Sequence, residues 1–200
     1  MDVEALTQAL QARLFVELEA SGRHVHLTAQ AAQTLFGHAL TPQRPLSQPG
    51  QFLCSERVTL ITPKARFERV AVLGPERSSC QVELSMTDCV ALGLNAPVRL
   101  SGKTDGTPGI VIACGERSLA LESGVIVAKR HIHMTPENAA RHGVSDGDSV
   151  RLRTFTARPL VFEDVVVRVS RDFQTYAHLD LDEANACGFR RGDLGMILHG

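Results

Sequence analysis

The chain has 200 residues, 44% of them apolar and 22% charged, enough for one sizeable domain or two small ones. A formal charge of −1 provides no general attraction for nucleic acid or an anionic membrane, and the uncharged apolar runs fall far short of a bilayer-spanning helix. With eight Phe, one Tyr and no Trp, the core must rest on Val, Leu, Ile and Ala.

The N-terminus is acidic and lacks the basic start and apolar centre of a secretory signal. Its Val3, Leu6, Leu10 and Leu14, at three- and four-residue spacing, predict an amphipathic helix over residues 1–14, either packed on the body or serving as a targeting or docking segment. Strand signals take over from Phe15. Arg57–Ile61, Arg69–Leu73, Val98–Leu100, Ile110–Ile112, Val150–Arg153 and Val165–Val169 are short, apolar and bounded by turn residues. The pattern predicts a mainly β protein of two related small β-barrel domains with short helices, not a doubly wound parallel sheet. Five scattered cysteines without a C-x-x-C pair argue against a disulfide framework and for a reducing, cytoplasmic location.

An internal repeat sharpens this prediction. Arg23-His24-Val25-His26-Leu27-Thr28 is echoed by Arg130-His131-Ile132-His133-Met134-Thr135, and each copy runs through alanines to a glycine, Gly37 or Gly143. Asp88 to Leu100 and Asp182 to Leu198 repeat the cadence of helix, glycine and strand without the histidines. The Gly- and Pro-rich stretch Ser101–Gly109 reads as a linker, giving a first barrel over 15–105 and a second over 106–200, with the repeats free to interleave.

Side chains two apart on a strand share a face, so His24 with His26, and His131 with His133, can each aim two imidazoles at one point. One His-x-His is also the mark of two satisfied, partly buried histidines. Two copies related by a repeat point to a metal, which takes the rings neutral where four protonated ones would repel. Glu83, between Val82 and Leu84, and His178, at the end of a strand-like stretch, extend the set, although Glu83 read alone also fits a solvent-facing strand position. Six such residues supply three ligands to each of two zinc ions, the count of open, catalytic sites. His38, His142 and His199 lack partners of this kind and read as surface residues. Arg77, in Gly74-Pro75-Glu76-Arg77, has a planar fork suited to phosphate, though a solvated turn arginine reads the same way. Lys64 is a second cation that could face a phosphate-bearing substrate, or an ordinary surface lysine.

The ordered run of Gly22–Leu27, Leu73–Arg77, Gln81–Ser85, Arg130–Met134 and His178–Ala186 closely resembles the PduL-type phosphate propanoyltransferases, a phosphotransacylase family of bacterial microcompartments. The resemblance spans about Phe15 to Leu198. It implies two β-barrel domains, two zinc ions, and transfer of an acyl group (propanoyl or acetyl) between coenzyme A and phosphate. It matches His24, His26, Glu83, His131, His133 and His178 to metal ligands, Arg77 to a phosphate contact, and Ser101 to a serine near the phosphate. Ala20, Ser21, Gly22, Lys64 and Asn185 match coenzyme A contacts. At Ala71 the family usually has an arginine, which Arg69, two residues earlier, could replace. Microcompartment proteins, through residues 1–14, and further copies of the chain are the implied partners, and propanediol degradation the implied setting. A zinc-dependent thioester or phosphoester hydrolase is the rival enzyme, and a zinc-stabilised assembly barrel the non-catalytic one.

Overall fold

The computed structural model describes residues 2–4, 7 and 13–198, so most of the helix expected over 1–14, and His199, lie outside the described residues. Fifteen strands are described: β1 (Val16–Ser21), β2 (His24–His26), β3 (Pro42–Pro45), β4 (Phe52–Ile61), β5 (Arg66–Gly74), β6 (Gln81–Leu84), β7 (Val98–Arg99), β8 (Ile110–Cys114), β9 (Arg117–Leu121), β10 (Val125–Ala128), β11 (His131–Met134), β12 (Ser149–Phe155), β13 (Val161–Val169), β14 (Tyr176–Asp180) and β15 (Leu194–Leu198). Short helices α1 (Ala29–Phe36), α2 (Met86–Leu92), α3 (Pro136–His142) and α4 (Leu181–Cys187) punctuate them.

The mainly β prediction holds, in two compact units. One unit closes a six-stranded barrel in the order β1-β14-β11-β13-β12-β15. In the other, β7-β10-β6-β2-β5-β4-β8-β9 form a curled sheet, with β3 paired to β4. The difference lies in what meets the strand that pairs antiparallel with β13 in one unit and with β5 in the other. β12 pairs with β15, which returns to β1 and closes the ring. Its counterpart β4 pairs with the β8–β9 hairpin, so the sheet stays a half-barrel.

The compact units do not follow the 15–105 and 106–200 division. One comprises residues 1–21 with 129–200, the other residues 22–128. The reason is the first strand of each repeat. β1 precedes β2 in sequence but pairs with β14 and β15, whereas β10 precedes β11 but pairs with β6 and β7. Each repeat thus lends its opening strand to the unit built by the other. The 101–109 stretch lies within the half-barrel unit and does not separate the units.

Period-two patterning builds both cores. In β2 and β6 the apolar Val25, Val82 and Leu84 enter the half-barrel core, and in β11 and β14 Ile132, Met134, Ala177 and Leu179 are likewise buried. Each fully buried Val, Leu or Ile contributes roughly 1.5–3 kcal/mol. The intervening positions are left for His24, His26, Gln81, Glu83, His131, His133 and His178.

The helices end where the glycines predict. Gly37, Gly93, Gly143 and Gly188 all adopt left-handed caps, with φ between 64° and 81°. Thr28 and Thr135 cap α1 and α3 by accepting from Ala31 N and Asn138 N, while Ser85 with Asp88, and Asp180 with Glu183, form capping boxes on α2 and α4. A finer echo lies in β5 and β13. Phe67-Glu68-Arg69-Val70 aligns with Phe162-Glu163-Asp164-Val165, and in both the ladder shifts register around a non-glycine residue at positive φ, Arg69 at 57° and Asp164 at 55°.

Candidate functional site

Strand register brings the ligand candidates together. β2 runs antiparallel to β6 with His24 opposite Glu83 and His26 opposite Gln81. β11 runs antiparallel to β14 with His131 opposite His178 and His133 opposite Tyr176. The six candidates, whose division the sequence leaves open, fall into two sets on equivalent strand pairs: His24, His26 and Glu83 in the half-barrel unit, and His131, His133 and His178 in the barrel unit. Within each set one potential ligand atom per residue lies within 4.8 Å of the others.

In the first set, His24 Nε2 is 3.2 Å from His26 Nε2 and 3.6 Å from Glu83 Oε2, and His26 Nε2 is 3.7 Å from Glu83 Oε1. The outer ring nitrogens are occupied elsewhere: His24 Nδ1 is 2.8 Å from Gly22 O and His26 Nδ1 is 3.3 Å from Leu73 O. Backbone carbonyls that hold Nδ1–H leave Nε2 with a lone pair facing inward, the tautomer a metal requires.

The electrostatics favour that neutral state at His26. Burial depresses the His26 pKa to about 3, helped by His24 and Arg77. Burial also disfavours charge on His24 and Glu83, but their mutual attraction and hydrogen bonding win, raising His24 and holding Glu83 well below the usual carboxylate range. The Glu83 carboxylate thus favours positive charge beside it, a charge that a bound cation would supply.

The second set repeats the arrangement with different backing. His131 Nδ1 is 2.8 Å from Lys129 O, and His178 Nδ1 is 3.2 Å from Glu19 Oε2. His133 Nδ1 lies 3.2 Å from His178 Nε2, while the other nitrogen, Nε2, is buried with no hydrogen-bond partner among the described residues. Its ring is tilted over Phe173 with centroids 4.1 Å apart, and burial, then His131 and His178, bring its pKa down to about 2. A buried imidazole kept neutral and incompletely satisfied fits a metal-ligand role. Three donors of nitrogen, or nitrogen and oxygen, per set fit a borderline divalent ion such as zinc.

Arg77 and Ser101 join the first set. Arg77 Nη1 donates to Ser101 Oγ at 2.9 Å, and the Arg77 backbone N–H is fixed to Leu27 O at 2.8 Å. The turn before it needs glycine, because a Cβ on Gly74 would come within 2.3 Å of the Phe52 ring. Gln81, which the motif analysis left without a role, links this cluster. It is 2% exposed, and Nε2 donates to Glu83 Oε1 at 2.6 Å and to Ser101 Oγ at 2.8 Å, while Oε1 accepts from Gly102 N at 2.7 Å. The alternation that singled out Glu83 puts Gln81 on the same face, which is the signal that could have found it.

The coenzyme A candidates are more dispersed. Lys64 is exposed in the turn between β4 and β5 and donates to Val90 O at 2.7 Å, and Gly22 is also exposed. Ala20 and Ser21 are half-buried on β1, and Asn185 is exposed on α4. Ala71 stands opposite His24 in the sheet, whereas Arg69 lies exposed in the bulge at positive φ, so simple alternation no longer ties Arg69 to the Ala71 face. Of the remaining histidines, His38 is exposed as expected. His142 is 7% exposed at the end of α3 and corrects its surface reading, because the short helix turns its last residue inward.

The fold and the donor sets define a mainly β protein with two three-residue groups that could hold a metal ion, one flanked by an arginine and a serine. The family model for phosphate propanoyltransferase matches residues 17–190. A phosphate propanoyltransferase of Enterococcus faecalis is 56% identical over 91% of this chain and 87% of its own length. Those of Listeria monocytogenes and Thermotoga maritima are 50% and 46% identical over 98% of the chain, and 93% and 95% of their own lengths. The chain belongs to the phosphate propanoyltransferase family, a family of phosphate acyltransferases.

Proposed function

We propose that the protein interconverts acyl-CoA and phosphate with acyl phosphate and free coenzyme A, propanoyl and acetyl being the acyl groups considered, and that each donor set holds one zinc ion. The observation that supports this reading is the Arg77–Ser101–Gln81–Glu83 cluster, in which the Arg77 guanidinium is linked by hydrogen bonds to Glu83 of the first candidate set, in a chain of this family. His24, His26 and Glu83 would hold one ion and His131, His133 and His178 the other; a bound zinc supplies a Lewis acid for phosphate or thioester oxygen.

In the forward direction a phosphate oxygen attacks the thioester carbonyl carbon. The C–O bond forms, the C–S bond breaks, and coenzyme A leaves as a thiolate that takes up a proton. Arg77 binds and orients the phosphate, neutralising part of its charge, and Ser101 positions the guanidinium. Attack by phosphate itself needs no covalent acyl-enzyme and is the simpler route. Lys64, Asn185, Ala71 or Arg69, and the Ala20–Gly22 segment are the proposed coenzyme A contacts. Action inside a bacterial microcompartment, with residues 1–14 as a docking segment, follows from the family resemblance alone.

Thiol release from acetyl- and propanoyl-CoA, measured with and without phosphate, tests the reading. Release should depend on phosphate, yield acyl phosphate, and stop on removal of the metal with a chelator. Arg77→Ala should cut turnover more than a hundredfold with its metal content intact. Free acid in place of acyl phosphate would establish the hydrolase instead, and full activity after chelation would remove zinc from the mechanism.

A further inference from the structure

The two donor sets are not copies of each other. In the first, the residue opposite the leading histidine is Glu83, and its parallel neighbour on β10 is Ile126, fully buried. In the second, the residue opposite the leading histidine is His178, and its parallel neighbour on β1 is Glu19. Repeat and register thus make Glu19 the counterpart of Ile126 and His178 the counterpart of Glu83. The carboxylate has moved from the strand that offers the ligand to the strand beside it.

We propose that Glu19 is a positioning residue for metal binding in the barrel unit, supplying through His178 the negative charge that Glu83 supplies directly in the half-barrel unit. This rests on the reading of both sets as metal sites. Glu19 Oε2 lies 3.2 Å from His178 Nδ1, where a carboxylate favours the tautomer with its proton on Nδ1, leaves Nε2 facing His133, and makes the imidazole a stronger donor to a cation. Nδ1 of His24, His26 and His131 lies instead against a backbone carbonyl. A carboxylate at position 126 would instead crowd Glu83 with like charge, which accounts for the isoleucine there. Glu19 arrives on β1, the strand lent by the first repeat, so the site of one repeat depends on a residue of the other.

Metal retention tests this without recourse to activity. The full-length protein, Glu19→Gln, Glu19→Asp and Glu17→Gln would be loaded with zinc and titrated with a chromophoric chelator. Wild type and Glu17→Gln, which changes a carboxylate two residues earlier on the same strand, should each hold two equivalents. Glu19→Gln should keep one as tightly as wild type and give up the other about ten- to a hundredfold more readily. Glu19→Asp, retaining the charge, should fall between them. Glu19→Gln holding both equivalents as wild type does would overturn the proposal, as would equal losses in the Gln and Asp variants, which would indicate packing. Wild type that binds no zinc would instead overturn the assignment of the metal sites themselves.

Discussion

The Gln81 amide has its orientation set by the backbone. Gly102 N–H occupies Oε1, so Nε2 must face Glu83 and Ser101. Ser101 Oγ then accepts from both Gln81 and Arg77, which leaves its own proton free to donate, and its hydrogen bond helps hold Glu83 ionised. Gln81→Glu removes both donations and sets a second carboxylate beside Glu83. The expected outcome is a loss of more than tenfold in kcat/KM for phosphate with the KM for acyl-CoA unchanged. Gln81→Leu leaves the Gly102 N–H and one Glu83 oxygen unpaired in a buried setting, at a cost of about 1–3 kcal/mol readable by urea denaturation. The sequence displayed the ligands here but not their support. Histidine and glutamate announce coordination chemistry by type, while a neutral amide or a half-exposed strand glutamate such as Glu19 reveals its partner only when register is known.

At the scale of elements, the capping boxes do more than end helices. Arg23 forks onto Asp88, with Nη2 to Oδ1 at 2.7 Å and Nε to Oδ2 at 3.2 Å, and Arg130 Nη1 reaches Glu183 Oε1 at 2.7 Å. Each arginine immediately precedes a leading histidine, and each acid is the third residue of a helix that follows the opposite strand. The pair therefore pins the entry of the histidine strand to the exit of its partner. Arg23 also lies over the Phe67 ring, 4.1 Å from its centroid. Ser85→Ala should cost about 1 kcal/mol as a lost cap. Asp88→Ala should cost more, about 2–4 kcal/mol, because it removes the cap and strands a charged partner; a smaller shift in urea midpoint than for Ser85→Ala would show that Arg23 contributes nothing. The helix ends were legible from Gly37, Gly93, Gly143 and Gly188. The bulges were not, since Arg69 and Asp164 adopt a left-handed conformation that residue type does not announce.

For the whole molecule, the His-x-His echo made the duplication visible, and the strand spacing identified small β-barrels. The exchange of β1 and β10 stayed hidden, because Val16–Ala20 and Val125–Ala128 carry no mark of which sheet they enter. The 101–109 stretch looked like a boundary through its three glycines and Pro108, yet its Ser101 and Gly102 bind the Gln81 cluster. The exchange makes a prediction. Deleting residues 1–14 leaves β1 whole and should preserve a cooperative thermal transition. Deleting 1–21 removes the strand between β14 and β15 and should abolish that transition for the barrel unit, with dye binding to the exposed core.

The same exchange governs what a cut would do. A protease that nicked the chain between Asp105 and Gly106 would produce two fragments, but not two separable halves. The first would still hold β1 in the ladder of β14 and β15, and the second would still hold β8 and β10 against β4, β6 and β7. Five strand pairings would bind the pieces without a peptide bond. Neither half of this duplicated sequence carries a complete sheet of its own, and covalent continuity across the linker-like loop is dispensable to the folded whole.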